Sequence, residues 1–423
     1  MAARSPARVL EAPAELVPVA PNERVQLFDV LRGFCLFGVL LSNLNDWYGT
    51  ADPVRGLDGV LHWAQDWLIE SRFYSMLGFL FGIGFAIQLM RAADRCQDVR
   101  SMFYRRMGAL LVLGALHGLL IWQGDILTTY ALLGFVLVMF RRLSPRKLLL
   151  AAAATWMIIP YAVVRGMMLL NISWAPIPWL EPVTEWTYAH GTWGQTVVLG
   201  AQAYLYHLGR FSWISYPSFL ALFLLGLWAI RTNAVSRLTA RRRHLISALL
   251  VALACWGVAV YIGAKLPQWW PVARGSAPNW HHLRFWVARV DALRLGGEVA
   301  TWSSSAAYAL LFALAMSYRA AARKLQPLAA LGRMTLTTYL VQSVVCTTLF
   351  YPWGFGWYGK VGYTGMFLLT VILFSVQVMF SVWWLRRYRF GPAEWLWRSL
   401  AYGKRQAMWI GDPVASAPAA ETV

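Results

Sequence analysis

The side chains best suited to moving a proton fall in two short stretches. In ALLVLGALHGLLIWQGDILTTYALLG, residues 109–134, His117 stands inside an apolar run about two helical turns before a turn at Gly124, and Asp125 follows at once. Imidazole is the usual general base near neutral pH, and a carboxylate beside it fixes its orientation. In LHWAQDWLIESR, His62, Asp66 and Glu70 are spaced i, i+4, i+8, which puts them on one side of a helix, with Arg72 just beyond. Either His117 or His62 therefore qualifies as a base. Each also has a plain structural reading: a hydrogen-bonded core histidine for His117, an interfacial loop residue for His62. Asp125 by itself also reads as the cap of the helix that follows it.

Groups that could hold a substrate lie on a different element. The stretch VQLFDVLRGFCLFGVLLSNLN, residues 25–45, is apolar enough to enter a bilayer, yet it carries Asp29 and Arg32 near one end and Asn43 near the other. On a helical wheel Arg32, Leu36, Val39 and Asn43 fall within about 60° of one another, so the polarity lies on one stripe. Arg32 and Asn43 are roughly 16 Å apart along it. A charged group in a membrane helix is costly unless it faces protein, a partner or water. The stripe is thus either an edge ion pair that sets orientation or the lining of a site. In LAALGRMTLTTYLVQSVVCTTLFY, residues 328–351, Thr335, Thr338, Tyr339, Gln342 and Cys346 share one face, either as cement between helices or as a cavity wall. Arg333 precedes them, placed to meet anionic lipid or a phosphate-bearing donor.

The elements that must position these residues are membrane helices. Hydrophobic residues make up 59% of the chain and charged residues only 13%, against about 25% charged in a soluble domain. Apolar runs of spanning length occur at roughly 28–48, 73–90, 107–123, 126–140, 148–169, 216–230, 246–264, 302–318, 329–350 and 364–384, about ten in all. This predicts an all-α, polytopic membrane helix bundle. Most of the 38 Lys and Arg residues fall in alternate loops, which puts both termini in the cytoplasm. The net charge of +19 is then a matter of topology, and nucleic acid is not an expected partner. Four scattered cysteines form no CxxC pair, so neither a disulfide framework nor a metal site is expected.

Residues 1–23 and 407–423 read as disordered cytoplasmic tails around a single transmembrane domain, 24–406. The connections 49–71, 170–215 and 265–301 read as long outer loops, the last with an amphipathic helix from Trp280 to Leu295 that carries His281, His282, Arg284, Arg289 and Asp291. RYRFGPAEWLWRSLAYGKRQ, residues 387–406, reads as a basic amphipathic segment docked on the inner leaflet. Gly78, Gly82 and Gly84 allow close helix approach.

Five stretches, RVQLFDVLRGFCLFGVLLSN, ESRFYSMLGFLFGIGFAIQ, LHGLLIWQGDILTTYALLG, LAALGRMTLTTYLVQS and FGPAEWLWRSLAYGK, together resemble the YeiB-like family of bacterial inner-membrane proteins, whose C-terminal half is a domain of unknown function. The resemblance runs from about Arg24 to Lys404. That family is grouped by distant similarity with transmembrane acyltransferases, among them enzymes that modify surface glycans and one that acetylates heparan glucosamine. Asp29, Arg32 and Gly33 match part of the wider group's first-span motif, whose leading basic residue has no clean counterpart here. Asn43 stands where many acyltransferases carry histidine, and His62 resembles the histidine of the heparan-type enzymes in order and context.

The resemblance implies transfer of an acyl group from a cytoplasmic donor, such as an acyl-CoA, to an extracytoplasmic small-molecule or glycan acceptor. His62 or His117 would be the base and Asp125 its orienter. Asp29, Arg32, Asn43, Arg72, Arg333 and Gln342 would be substrate-binding residues, and the donor would meet positive charge around Arg32, Arg105, Arg106 and Arg333. The same polar features also fit a transporter of a small envelope-related or secondary metabolite, with the His–Asp hairpin as a proton path. A structural or sensory role is the third reading. Membrane lipid is the one partner common to all three.

Overall fold

The computed structural model describes residues 26–47, 56–94, 99–169, 180–269 and 280–411. Among these the chain is helical, with one isolated β-bridge between Tyr388 and Trp409. The first helices are α1 (Gln26–Asn43), α2 (Gly56–Leu68), α3 (Arg72–Asp94), α4 (Val99–Leu120) and α5 (Leu127–Leu137). There follow α6 (Pro145–Ala153), α7 (Ile159–Leu169), α8 (Leu180–His190), α9 (Trp193–Tyr206), α10 (Ser212–Arg231) and α11 (Ala234–Thr239). The last are α12 (Arg242–Trp269), α13 (Trp280–Met316), α14 (Arg319–Lys324), α15 (Gln326–Arg333), α16 (Thr335–Phe350), α17 (Tyr363–Trp384) and α18 (Pro392–Tyr402).

The molecule is a polytopic membrane helix bundle. Among the described residues six helical segments are long and apolar enough to cross a bilayer: Gln26–Trp47, Gly56–Arg91, Pro145–Val163, Arg242–Lys265, Arg294–Met316 and Tyr363–Trp384. Ser215–Arg231 and Thr335–Phe350 are shorter apolar helices. Their burial separates centre from periphery. In α1 67% of the spanning window is buried, against 17% in α12 and 22% in α17. Side chains such as Leu250, Val251, Ile372 and Met379 stand exposed on those outer helices, as a lipid-facing surface requires.

Glycine sets the two closest crossings. A Cβ on Gly33 would overlap the Leu328 carbonyl, and one on Gly332 would overlap the Asp29 carbonyl, so α1 and α15 meet backbone to backbone. Gly82 of α3 and Gly226 of α10 do the same against Phe223 and Phe79. The expectation of close approach in the α3 glycine run therefore holds at Gly82. Gly78 makes only ordinary contacts, and Gly84 faces Arg32.

Several expectations need correction. The run 329–350 is not one span. It breaks at Met334 (φ −114°, ψ 29°) into α15 and α16, because α15 is held in the glycine crossing while α16 starts on a separate cap. In their described parts the long outer connections 49–71 and 170–215 are largely helical, the first as the spacing of His62, Asp66 and Glu70 allows. They contain α2, α8 and α9, and α9 begins in a capping box formed by Thr192 and Gln195. Residues 407–411 do not belong to a free tail. Arg389 N–H donates to Met408 O (2.8 Å), Ile410 N–H donates to Arg387 O (3.1 Å), and Trp409 packs on Tyr388. Residues 1–25 and 412–423, which hold most of both expected tails, lie outside the described residues, as do the side chains of His281, His282, Arg284, Arg289 and Asp291.

Candidate active site

The α4–α5 hairpin folds His117 onto Asp125. The imidazole Nδ1 lies 2.9 Å from Asp125 Oδ1, and both side chains are sealed, at 1% and 0% exposure. An ionised carboxylate only accepts, so the Nδ1 proton points at Asp125, which in the neutral imidazole leaves the lone pair on Nε2. That Nε2 is buried and has no hydrogen-bond partner. Asp125 is fixed by its own role as cap: Oδ2 accepts the Thr128 N–H at 2.7 Å. The two Asp125 oxygens thus serve two partners, Oδ1 beside the His117 imidazole and Oδ2 at the start of α5.

Aromatic groups close the site. The Tyr339 ring from α16 lies 5.1 Å from the imidazole, and Trp122 meets it edge-on at 6.4 Å. Tyr339 hydroxyl donates to Gly124 O (3.3 Å) and accepts from Ile126 N–H (3.4 Å), which pins the hairpin turn to α16. Thr128 Oγ1 and Tyr204 hydroxyl of α9 are 2.8 Å apart. Gly118 is packed so closely on the Tyr204 ring that a side chain there would collide with it. One turn along α4, a cavity of about 130 Å³ opens between Leu120, Ile121, Thr196, Thr347, Tyr351 and Trp353.

The α1 stripe faces inward along its length. Leu36 and Val39 are 1% exposed, Asn43 is buried, and Asp29 is nearly so. Asn43 Oδ1 accepts a hydrogen bond from the Tyr74 hydroxyl, and the Tyr74 carbonyl in turn accepts from Tyr130 hydroxyl at 3.0 Å. At the other end Arg32 Nη1 donates to Asp29 Oδ1 at 2.9 Å. Arg333 follows Gly332 just as Arg32 precedes Gly33, and the backbone crossing leaves Asp29 paired with Arg32 and within electrostatic reach of Arg333.

The remaining candidates do not converge on His117. His62 Nδ1 is 3.6 Å from Asp66, beyond a hydrogen bond, and both side chains are about two-fifths exposed. Its ring stacks on Tyr363 of α17 at 4.6 Å. Neighbouring Asp58 accepts the Thr364 N–H at 2.9 Å and so caps α17. Arg72, read as a substrate residue, donates instead to the carbonyls of Asp66 and Glu70 and staples the turn between α2 and α3. Gln342 bridges helices: its Nε2 donates to Gln377 Oε1 (2.9 Å) and to Leu36 O (3.4 Å).

With the geometry in place, known sequences are informative. The uncharacterized protein YxaH of Bacillus subtilis (strain 168) is 30% identical to this chain, over 92% of this chain and 97% of YxaH. The uncharacterized protein YeiB of Escherichia coli (strain K12) is 27% identical, over 89% and 96%. Residues 247–404 match the family described as protein of unknown function DUF418. The chain belongs to the YeiB-like family.

The DUF418 segment of this YeiB-like chain contains α15, α16 and α18, and it does not contain the His117–Asp125 hairpin. It does contain what the sequence reading passed over. Helix α18 is seated on the bundle rather than only on a leaflet. Glu394 accepts the N–H groups of Leu336 (2.6 Å) and Thr337 (3.1 Å) and the Thr337 hydroxyl, and so caps α16. Trp397 Nε1–H donates to Arg106 O at 2.8 Å. Burial raises the Glu394 carboxyl above the ordinary range, against the hydrogen bonds from Thr337 and Leu336. A lone Glu among tryptophans was the available signal. Tyr74 and Tyr204 gave none, because aromatic residues of membrane helices read first as interfacial belts, whereas Tyr339 lies on the polar face of residues 328–351 already picked out as cement or a cavity wall.

Proposed function

We propose that this YeiB-like protein transfers an acyl group across the membrane, with His117 as general base and Asp125 as its positioning residue. One observation carries the reading: a carboxylate holds the proton on Nδ1, while Nε2 is buried, free of partners and able to accept a proton. The acceptor hydroxyl or amine gives its proton to Nε2 as its heteroatom bonds to the acyl carbonyl carbon. Collapse of the tetrahedral intermediate then breaks the bond to the leaving group, a thiolate if the donor is a thioester, which leaves with the proton. The inner bacterial membrane is the compartment this implies. The donor enters at the arginine-rich end of α1 and the acceptor from the end that carries Asn43. The cavity of about 130 Å³ beside Ile121 has the volume of a few water molecules, enough for a short acyl group.

His62 is the weaker base, because no carboxylate holds its tautomer at hydrogen-bond distance. The test replaces His117 and His62 separately with alanine and follows labelled acyl groups into envelope material. Labelling is lost with His117→Ala and kept with His62→Ala. Unchanged labelling in His117→Ala overturns the assignment. Uptake into proteoliposomes driven by a pH gradient, without acyl transfer, would replace it with the transporter reading.

A further inference from the structure

Among the described residues, the arginine-rich end of the bundle carries more positive charge than the acids around it balance. Four arginines from four helices lie around Asp29 there: Arg32 of α1 pairs with it, Arg333 of α15 and Arg398 of α18 are within its electrostatic reach, and Arg106 of α4 is within reach of Arg32 and Arg398. Arg106 lies within electrostatic reach of both Arg398 and Arg32. Arg398 in turn feels Arg32, Asp29 and Glu394, and Arg333 feels Asp29. Among the described residues two acids, Asp29 and Glu394, stand against the four bases, and both are engaged. Asp29 holds Arg32, and Glu394 is occupied with the N-terminus of α16.

A topological signal does not need this arrangement. Loop arginines that set orientation sit in water, where like charges are screened. Here two are held by aromatic faces. The Arg106 guanidinium lies 4.0 Å above the Trp397 ring, and that of Arg398 lies 4.6 Å above Phe390. Stacking fixes a guanidinium plane without using its N–H donors, so the donors stay available. Among the described residues Arg398 Nε and Arg333 Nε are buried with no hydrogen-bond partner, and the bond from Arg333 Nη2 to Arg389 O is stretched to 3.5 Å. Buried donors that the protein leaves unfilled, next to like charges it does not balance, are arranged for an anion.

We infer that Arg32, Arg106, Arg333 and Arg398 form a binding site for a phosphate-bearing ligand with two or more negative charges. Helix α18 is part of this site, and its Glu394–α16 cap and Trp397–Arg106 contacts lock one wall in place. The inference deepens the acyl-transfer reading, on which it rests for its role, by naming the chemistry of the donor's anchor: a phosphate or diphosphate group. The same chemistry exists on a soluble phosphorylated donor and on a phospholipid headgroup.

The test uses the full-length protein in nanodiscs of phosphatidylcholine. Titration with pyrophosphate, and separately with ADP, is followed by thermal shift and calorimetry at low salt. Saturable binding is expected, weakened about tenfold or more in Arg398→Gln and in Arg106→Gln. His117→Ala keeps it, so loss of acyl transfer and loss of anion binding separate the two hypotheses. Arg398→Lys, which keeps the charge but loses the planar fork, gives an intermediate affinity and covers the case in which the glutamine variant misfolds. Competition assigns the source. Displacement of ADP by pyrophosphate but not by added phosphatidylglycerol points to a soluble donor, and displacement by phosphatidylglycerol points to a headgroup. The site is disproved if neither pyrophosphate, ADP nor phosphatidylglycerol binds saturably to the wild-type protein, or if binding is indifferent to all three arginine variants.

Discussion

The two ends of the α1 stripe solve the problem of buried polarity in opposite ways. Around His117 nearly every polar group is matched: Asp125 serves His117 and Thr128, Tyr339 serves two backbone groups, and Thr128 meets Tyr204. The unmatched polar atoms at the site are His117 Nε2 and the indole Nε1 of Trp122, and of the two only the imidazole nitrogen can take up a proton. Around Arg32 the charges outnumber their partners, and aromatic rings support guanidinium groups whose donors point elsewhere. The first arrangement positions one atom. The second leaves a field of donors, which suits holding a charged group rather than reacting with it.

Substitutions test that contrast, beginning with the largest effect. Asp125→Ala strands a buried histidine and leaves the start of α5 without its cap. It is expected to cost about 3–5 kcal/mol, read as chemical unfolding in detergent. A loss under about 1 kcal/mol would mean the pair is loosely held after all. Gly332→Ala pushes α15 off α1 and moves Arg333 away from Asp29. About 1–3 kcal/mol is expected from overpacking, and the affinity for pyrophosphate should fall in the same variant. Glu394→Gln keeps an acceptor for α16 but removes its charge. It should cost about 1 kcal/mol in thermal unfolding, with anion affinity rising because one competing acid is gone.

Arg398→Gln is the smallest and most telling change. Losing the stack on Phe390 costs about 0.5–1 kcal/mol, and relief of repulsion from Arg106 and Arg32 offsets it. Stability of the ligand-free protein should therefore stay near wild type, whereas the variant loses its stabilisation by pyrophosphate. A marked destabilisation without ligand would mean that Arg398 is a structural residue.

Much of this was legible in the residues. The stripe of Asp29, Arg32, Leu36, Val39 and Asn43 turns inward as its helical spacing predicts, because one polar face among lipid-facing apolar ones has nowhere else to go. The tight hairpin between His117 and Asp125 was visible from the turn residues Gln123 and Gly124. Other features depended on partners far away in the chain. The break at Met334 lies inside an apolar run and follows from a glycine contact with α1 and a cap supplied by Glu394, nearly sixty positions on. Arg72 and Gln342 have the composition of site residues, and backbone carbonyls and Gln377 claimed them.

Composition and periodicity by themselves determined that the chain is a membrane helix bundle, which helix carries its polar seam, and which histidines have an acid within reach, since these depend on transfer free energies and local helical geometry. Only the tertiary structure decided that His117 and not His62 has its tautomer fixed, and that Arg398 joins Arg32. Those outcomes depend on distances of a few ångströms between side chains from different helices, which packing sets and local spacing does not encode.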